Sequence, residues 1–202
     1  MANRYLSGNN IDKDPFVEFE KWYGKRLKSA ATNPGAFSLA TSSRHGDVSV
    51  RIVLLKDFDR GGFVFFTNYN SKKGKQLSEN NRAAMLFYWP ELNRQVRVEG
   101  RVSKLTSEES EKYFSSRPRE SRIGAWASEQ SSEIAGRQEL LDSFHRYREK
   151  FKGQNVPLPP HWGGFRITPL MFEFWQEGKF RLHDRIVYTP VPDGWGVSRL
   201  AP

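Results

Sequence analysis

"AFSLATSSRHGDVSVRIVLLKDFDRGGFVFFTN", residues 36–68, decides the fold. Its first eight letters alternate apolar with small or polar, the period of a half-buried strand. "RHGD" supplies turn residues, "VSVRIVLLKDF" a second strand, "DRGG" another turn, and "FVFFTN" a third strand. Further along, "SKKGKQLSENN" reads as a short helix, and "RAAMLFYW" and "RQVRVEGRVSKL" as two strands joined by "PELN". Five β segments at short, regular spacing, with no long helix between them, fit an antiparallel barrel or sandwich. Near the C-terminus "FRITPLMFEFWQ", "KFRLHDRIVY" and "GWGVSRL" return to β.

Helices flank this core. Asp14 and Pro15 open one as N-cap and first residue, and Phe16, Phe19, Trp22, Tyr23 and Leu27 share a face of it. Thr106 and Glu109 have capping-box spacing ahead of "SEESEKYFSSR". "RESRIGAWASEQSS" is expected to be helical in part. "EIAGRQELLDSFHRYREKF" reads as an amphipathic helix with Ile134, Leu141, Phe144, Tyr147 and Phe151 on its apolar side. The expectation is an α+β chain, mainly β, with helices around a barrel. Residues 1–13 read as a flexible N-terminal segment and residues 14–202 as a single domain.

Composition narrows the function. The chain of 202 residues is 37% hydrophobic and 14% aromatic, enough for a sizeable core. The absence of cysteine excludes disulfides, thiolate chemistry and Cys-ligated zinc, and fits a reducing compartment. There is no secretory h-region in "MANRYLSGNN" and no apolar run near the roughly 20 residues of a membrane helix. A cytoplasmic protein without membrane partners is expected. The net charge of +9 attracts phosphates, yet the cations are scattered through strands and loops, not gathered in a tail.

Three constellations could carry chemistry. "TNYNSKKGKQL" runs from a strand into a helix whose free N–H groups, with Lys72 and Lys73, suit a phosphate; a helix with solvated lysines fits the same letters. Arg51 and Lys56 in "RIVLLK" lie an odd number of residues apart, so a regular strand turns them to opposite faces. Either the strand bulges between them or they serve different parts of one ligand. Tyr113, Arg117 and Ser121 stand at four-residue spacing and suit a phosphate monoester if the helix is continuous, which Pro118 opposes. His45, His145 and His161 have no partner at metal-ligand spacing, so no metal is expected. In "KFRLHDRIVY", residues 179–188, strand alternation would put Arg181, His183 and Arg185 on one face, a repulsion that facing anions would relieve.

Taken together and in this order, "RIVLLK", "FTN", "SKKGKQL", "RQVRVEG", "KYFSSRPRESRIGAWASEQSS", "PLPPHWGGFRI", "EFWQ", "RLHDR" and "RLAP" resemble the pyridoxine (pyridoxamine) 5′-phosphate oxidase family. The resemblance spans about residue 14 to the end. It implies a split β-barrel FMN-binding fold and a homodimer with FMN at the subunit interface. It also implies oxidation of pyridoxine or pyridoxamine 5′-phosphate to pyridoxal 5′-phosphate by O2, with H2O2 formed. By the same resemblance Arg51, Lys56, Phe66, Thr67, Lys72 and Lys73 would hold FMN, helped by Gln95, Gln130, Ser131, Trp175 and Arg185. Tyr113, Arg117 and Ser121 would bind the substrate phosphate. Lys56 would also lie near substrate, and Arg181 and His183 over its ring as catalytic residues.

The chain departs from the family pattern in three places. Phe66 replaces a common Tyr, Lys72 a common Arg, and Ala2 the Arg that can precede a substrate-covering Tyr, here Tyr5. Two other readings remain at this level. One is a split-barrel flavin oxidase of another aromatic substrate, of the phenazine-pathway type. The other is a non-catalytic flavin-binding protein. An oligonucleotide-binding barrel would need aromatics alternating with cations on an exposed strand face, and "FVFFTN" looks like core, so no nucleic acid is expected.

Overall fold

The computed structural model describes residues 6, 10–28 and 32–202. Its first helix, α1 (Pro15–Leu27), is capped by the Asp14 side chain accepting from the Phe16 amide. Phe16, Phe19 and Trp22 are buried on one face, whereas Leu27, expected on that face, is 53% exposed. Strands β1 (Ala36–Ser42) and β2 (Val48–Leu54) form an antiparallel hairpin. The second expected strand is in fact two. The chain breaks at Leu55 and Lys56, whose amides donate to Gly35 and Val64 respectively, and resumes as β3 (Asp57–Asp59) beside β4 (Gly62–Asn68).

Helix α2 (Lys72–Glu79) follows, with Ser71 as N-cap, then β5 (Arg82–Trp89) and β6 (Arg94–Lys104). Helix α3 (Ser107–Ser116) carries the Thr106–Glu109 capping box, α4 (Arg119–Ala127) follows Pro118, and α5 (Arg137–Lys150) begins later than its sequence pattern suggests. Ile134 thus lies outside α5 at 48% exposure, and Leu141 is also exposed, while Phe151 is buried. Strands β7 (Trp162–Gln176), β8 (Asp184–Val191) and β9 (Gly194–Leu200) complete the chain.

Among the described residues these strands form one nine-stranded antiparallel sheet in the order β2-β1-β5-β6-β7-β4-β3, with β8 joined to β7 and β9 to β8. The branch point is β7. One edge pairs with β6 along its length; the other pairs with β4 over residues 162–167 and with β8 over residues 172–176. A strand whose edge is divided between two partners bends the sheet around the core, giving the split barrel. The β6 register shifts between Glu99 and Gly100, where a side chain on Gly100 would meet the Thr168 carbonyl at 2.4 Å.

Aromatic rings fill the barrel. Phe19 meets Phe63, Phe58 and Phe87 at centroid distances of 4.9, 5.0 and 5.1 Å, tying α1 to β4, β3 and β5. A second cluster of Phe114, Ile123, Phe151, Val156 and Trp162 seats α3, α4 and α5 against the start of β7. It therefore fixes the helices that carry one wall of the site. Within the segment read as flexible, Leu6 is 4% exposed, with its amide on Asp184, and the Asp12 carbonyl accepts from Tyr188. Ala2 and Tyr5 lie outside the described residues. No helix among the described residues is long and apolar enough to cross a membrane.

The "KFRLHDRIVY" stretch corrects the sequence expectation. Residues Lys179–Arg181 form a 3-10 turn, Phe180 and Arg181 have φ of 58° and 65°, and the strand starts only at Asp184. Arg181, His183 and Arg185 therefore do not share a strand face, and Leu182 is 66% exposed instead of facing a core. Gly178 makes room for this turn. A side chain there would lie 1.9 Å from the Leu182 carbonyl, so the chain folds back on itself at this glycine. Arg185, the one member of the trio with a clear strand partner, is neutralised by a protein carboxylate: Glu173 accepts from its Nε at 2.7 Å.

Candidate functional site

A cleft of about 780 Å³ opens between the barrel and the helices. Arg51 comes from β2, Lys56 from the β2–β3 break, Phe66 and Thr67 from β4, and Lys73 from α2. Tyr113, Arg117 and Ser121 arrive from α3, the joint after it, and α4; Gln130 arrives from the following loop. Arg51, Lys56, Lys73 and Arg117 thus line one cleft, and among the described residues no carboxylate lines it. Unpaired cations gathered on low-dielectric walls attract anions strongly.

Lys73 and Arg51 are held by neutral groups. Lys73 Nζ donates to Gln130 Oε1 at 2.8 Å and to Thr67 Oγ1 at 3.1 Å. Burial, and then the Arg51 charge, push the Lys73 ammonium down to about 8. Arg51 donates to the Leu39 carbonyl and to the Thr41 and Ser49 hydroxyls, and burial lowers its pKa. Arg117 lies 4.6 Å over the Trp162 ring, its Nη1 is buried without a partner, and burial lowers its pKa as well.

The helix break at Pro118 does not scatter the expected trio. Arg117 is extended at the α3 C-cap, with α4 starting two residues on, and Tyr113, Arg117 and Ser121 still line the cleft together. Likewise the break at Leu55–Lys56 lets Arg51 and Lys56 reach one cavity despite their odd spacing. Phe66 stacks on Tyr113 at 3.9 Å, and both lie nearly parallel to Trp162. A tyrosine hydroxyl at position 66 is therefore replaced here by an aromatic wall.

The remaining candidates do not line this cleft. Lys72 is exposed on α2, and Ser131 is exposed with a φ of 75°. Gln95, Trp175 and Arg185 face one another across β6, β7 and β8, forming a line on the sheet. The His183 ring lies 4.7 Å from Trp175, with Nδ1 accepting the Gly178 amide at 3.2 Å. Arg181 is exposed on the preceding turn. The chain thus presents a cationic cleft and a separate Trp–His–Arg cluster with no residue in common.

Sequence reading missed Trp162, Asn68 and Ser128 as cleft walls. Trp162 could have been suspected from "HWGG", where glycines leave room beside a large ring. It also missed Glu173, whose other oxygen lies 2.9 Å from Arg97 and whose bond raises the pKa of Arg185.

Comparison with known proteins is consistent with this geometry. The family model described as pyridoxamine 5′-phosphate oxidase matches residues 24–151. A second, described as the pyridoxine 5′-phosphate oxidase C-terminal dimerisation region, matches residues 162–202. A pyridoxine/pyridoxamine 5′-phosphate oxidase of Nostoc sp. is 50% identical over 98% of this chain and 92% of its own length. The one from Burkholderia thailandensis is 50% identical over 98% and 93%. Among solved structures, PhzG from Burkholderia lata, in complex with tetrahydrophenazine-1-carboxylic acid, superposes with a TM-score of 0.90 at 28% identity, covering 98% of each chain. A pyridoxamine 5′-phosphate oxidase-related, FMN-binding protein from Nostoc punctiforme has a TM-score of 0.74 at 14% identity, covering 96% of this chain and all of its own, and speaks for the fold alone.

Proposed function

Because the chain belongs to the pyridoxamine 5′-phosphate oxidase family, we propose that it is an FMN-dependent oxidase of pyridoxine and pyridoxamine 5′-phosphates. It would make pyridoxal 5′-phosphate, with O2 as electron acceptor and H2O2 as second product. The carrying observation is the cleft with Arg51, Lys56, Lys73 and Arg117 and, among the described residues, no carboxylate. Its volume suits a flavin and a small ring together. The unpartnered Arg117 nitrogen and the desolvated Lys73 ammonium both lack the anion that their burial requires.

The cations divide naturally between two phosphates. Lys73 and Arg51, with Thr67 and Gln130, would hold the FMN phosphate, and Lys72 would add charge at its rim. Arg117, with Tyr113 and Ser121, would hold the substrate phosphate, and Lys56, whose Nζ lies 5.9 Å from the Tyr113 ring centre, would stand between the two. When bound, FMN supplies a two-electron acceptor for the substrate carbon and passes the electrons to O2. The protein orients and excludes water: the Phe66–Tyr113–Trp162 stack walls the substrate end.

The Gln95–Trp175–Arg185 line and His183 complete the site only if a second copy brings them over the cleft. The C-terminal dimerisation match supports a homodimer; in the arrangement proposed here FMN would lie between subunits, with Ser131 at its rim. His183 and Arg181 would then lie over the substrate ring and steady its hydroxyl or amine.

PhzG at a TM-score of 0.90 favours a second reading, oxidation of a reduced phenazine precursor. The 50% identity to the vitamin oxidases and the Tyr113–Arg117–Ser121 anion site weigh against it. Anaerobic mixing of FMN-loaded protein with pyridoxine 5′-phosphate decides: bleaching of the flavin absorbance is expected. If only a reduced phenazine carboxylate bleaches it, the second reading holds; if neither does while FMN stays bound, the protein is a flavin binder.

A further inference from the structure

Helix α2 contributes a residue that no functional reading of the sequence uses. Gln76 is 5% exposed, and both ends of its side-chain amide are hydrogen-bonded. Oε1 accepts from Thr41 Oγ1 at 2.6 Å and from Ser49 Oγ at 2.7 Å, while Nε2 donates to the Asp47 carbonyl at 3.0 Å. Thr41 and Ser49 are cross-strand partners in the β1–β2 hairpin, and Arg51 follows Ser49 on the same face. Both hydroxyls accept from the Arg51 guanidinium, Thr41 at 2.6 Å from Nη1 and Ser49 from Nη2.

The direction of every bond in this chain is forced. Arginine has five N–H donors and no acceptor, so each hydroxyl must present a lone pair to it. A hydroxyl has one proton, and Gln76 Oε1 takes it in both cases. The amide cannot be reversed, because the Asp47 carbonyl needs the NH2 end. With Leu39 also accepting from Nη1, three of the five N–H groups of Arg51 are committed to protein, which leaves two for a ligand.

We propose that Gln76 is a positioning residue: through Thr41 and Ser49 it locks the Arg51 guanidinium in the orientation that binds the phosphate of the flavin. The proposal rests on the reading of the cleft as an FMN site. Gln76 does not line the cleft. It acts by orienting two hydroxyls whose free rotation would otherwise let Arg51 swing or trade its ligand-facing donors for hydroxyl bonds. Lock and ligand donors are built on the two elements that flank the phosphate end, so α2 supplies Lys73 directly and Arg51 indirectly.

The test compares FMN with riboflavin, which lacks the phosphate, by fluorescence titration of the deflavinated protein. Wild type should prefer FMN; equal affinity for the two would overturn the FMN-site reading and the lock with it. In Gln76→Met the FMN-over-riboflavin preference should fall about tenfold, as for loss of one charge-assisted contact, with riboflavin affinity unchanged. A variant that weakens both ligands equally, or keeps the preference intact, overturns the positioning role while leaving the FMN site standing. In an Arg51→Ala background Gln76→Met should change the preference no further; additive losses would show that Gln76 does not act through Arg51. Ser49→Ala, on a half-buried strand residue, removes one arm of the lock and should reproduce a smaller fall in preference should Gln76→Met not fold.

Discussion

At the residue scale the cleft separates its cations by what surrounds them. Arg117 sits between aromatic rings with a buried, unpartnered nitrogen, so its ligand-binding value is large and its structural value small. Arg117→Ala should raise KM for the phosphorylated substrate by the equivalent of about 1.5–3 kcal/mol, with FMN content near normal. Steady-state kinetics beside flavin absorbance checks this; loss of FMN with normal substrate handling would reverse the assignment of the two phosphates.

Lys73 gives a pH signature. Burial lowers it to about 8 in the unliganded fold, whereas an unfolded lysine keeps its proton to about 10.4. The unfolded chain therefore binds more protons between these values, and the unliganded protein gains stability as pH rises across that window. A phosphate beside Nζ would restore the proton, so FMN binding should take one up above about 8 and FMN affinity should fall as pH rises past that value. Riboflavin should show no such slope, and Lys73→Arg should flatten it because guanidinium stays charged. Isothermal titration in two buffers of different ionisation enthalpy reads the proton uptake; a slope that persists in Lys73→Arg would assign it elsewhere.

At the scale of elements, the β7–β8 connection is decided by one glycine. Gly178→Ala would drive a methyl into the Leu182 carbonyl, displacing residues 179–183 and breaking the Gly178–His183 hydrogen bond. Flavin reduction by substrate should slow about tenfold or more, since small displacements of positioning groups are costly, while FMN is retained. Leu182→Ala, at an exposed position, should change stability by less than about 0.5 kcal/mol. Stopped-flow reduction and thermal melts separate the two; a large stability loss at Leu182 would restore the continuous strand that "KFRLHDRIVY" suggests. The same contrast explains what was legible here. Alternation in "AFSLATS" and "RAAMLFYW" is enforced by packing, but in "KFRLHDR" a carbonyl closely approaches a glycine, which no local pattern encodes.

For the whole molecule, β2 is an edge strand whose outward residues Val48, Val50 and Ile52 are 80%, 67% and 64% exposed. An apolar edge of this kind needs a cover. With the cleft and the Trp175–His183–Arg185 cluster lying apart in one chain, the cover we propose is a second copy, which would also complete the site. Val50→Asp should convert the dimer to monomer in light scattering and release FMN in the same concentration range. An FMN-loaded, active monomer would defeat the shared-site reading.

The sequence by itself determined the strands whose periodicity packing enforces and the capped helices, because each is written in neighbouring residues. Phe16, Phe19 and Trp22 announce their burial by helical spacing, and Ser71 and Thr106 their caps by position. Only the tertiary structure decided that Arg51 and Lys56 reach one cleft through a strand break, that Tyr113, Arg117 and Ser121 survive a helix break, and that Arg185 is matched by Glu173. It alone placed Gln76 behind Arg51, 25 positions earlier in the chain. The physical reason is common to all of these. Periodicity reports which face a residue shows, whereas hydrogen-bond direction, ion pairing and close backbone approach depend on partners that the chain brings together only when it folds.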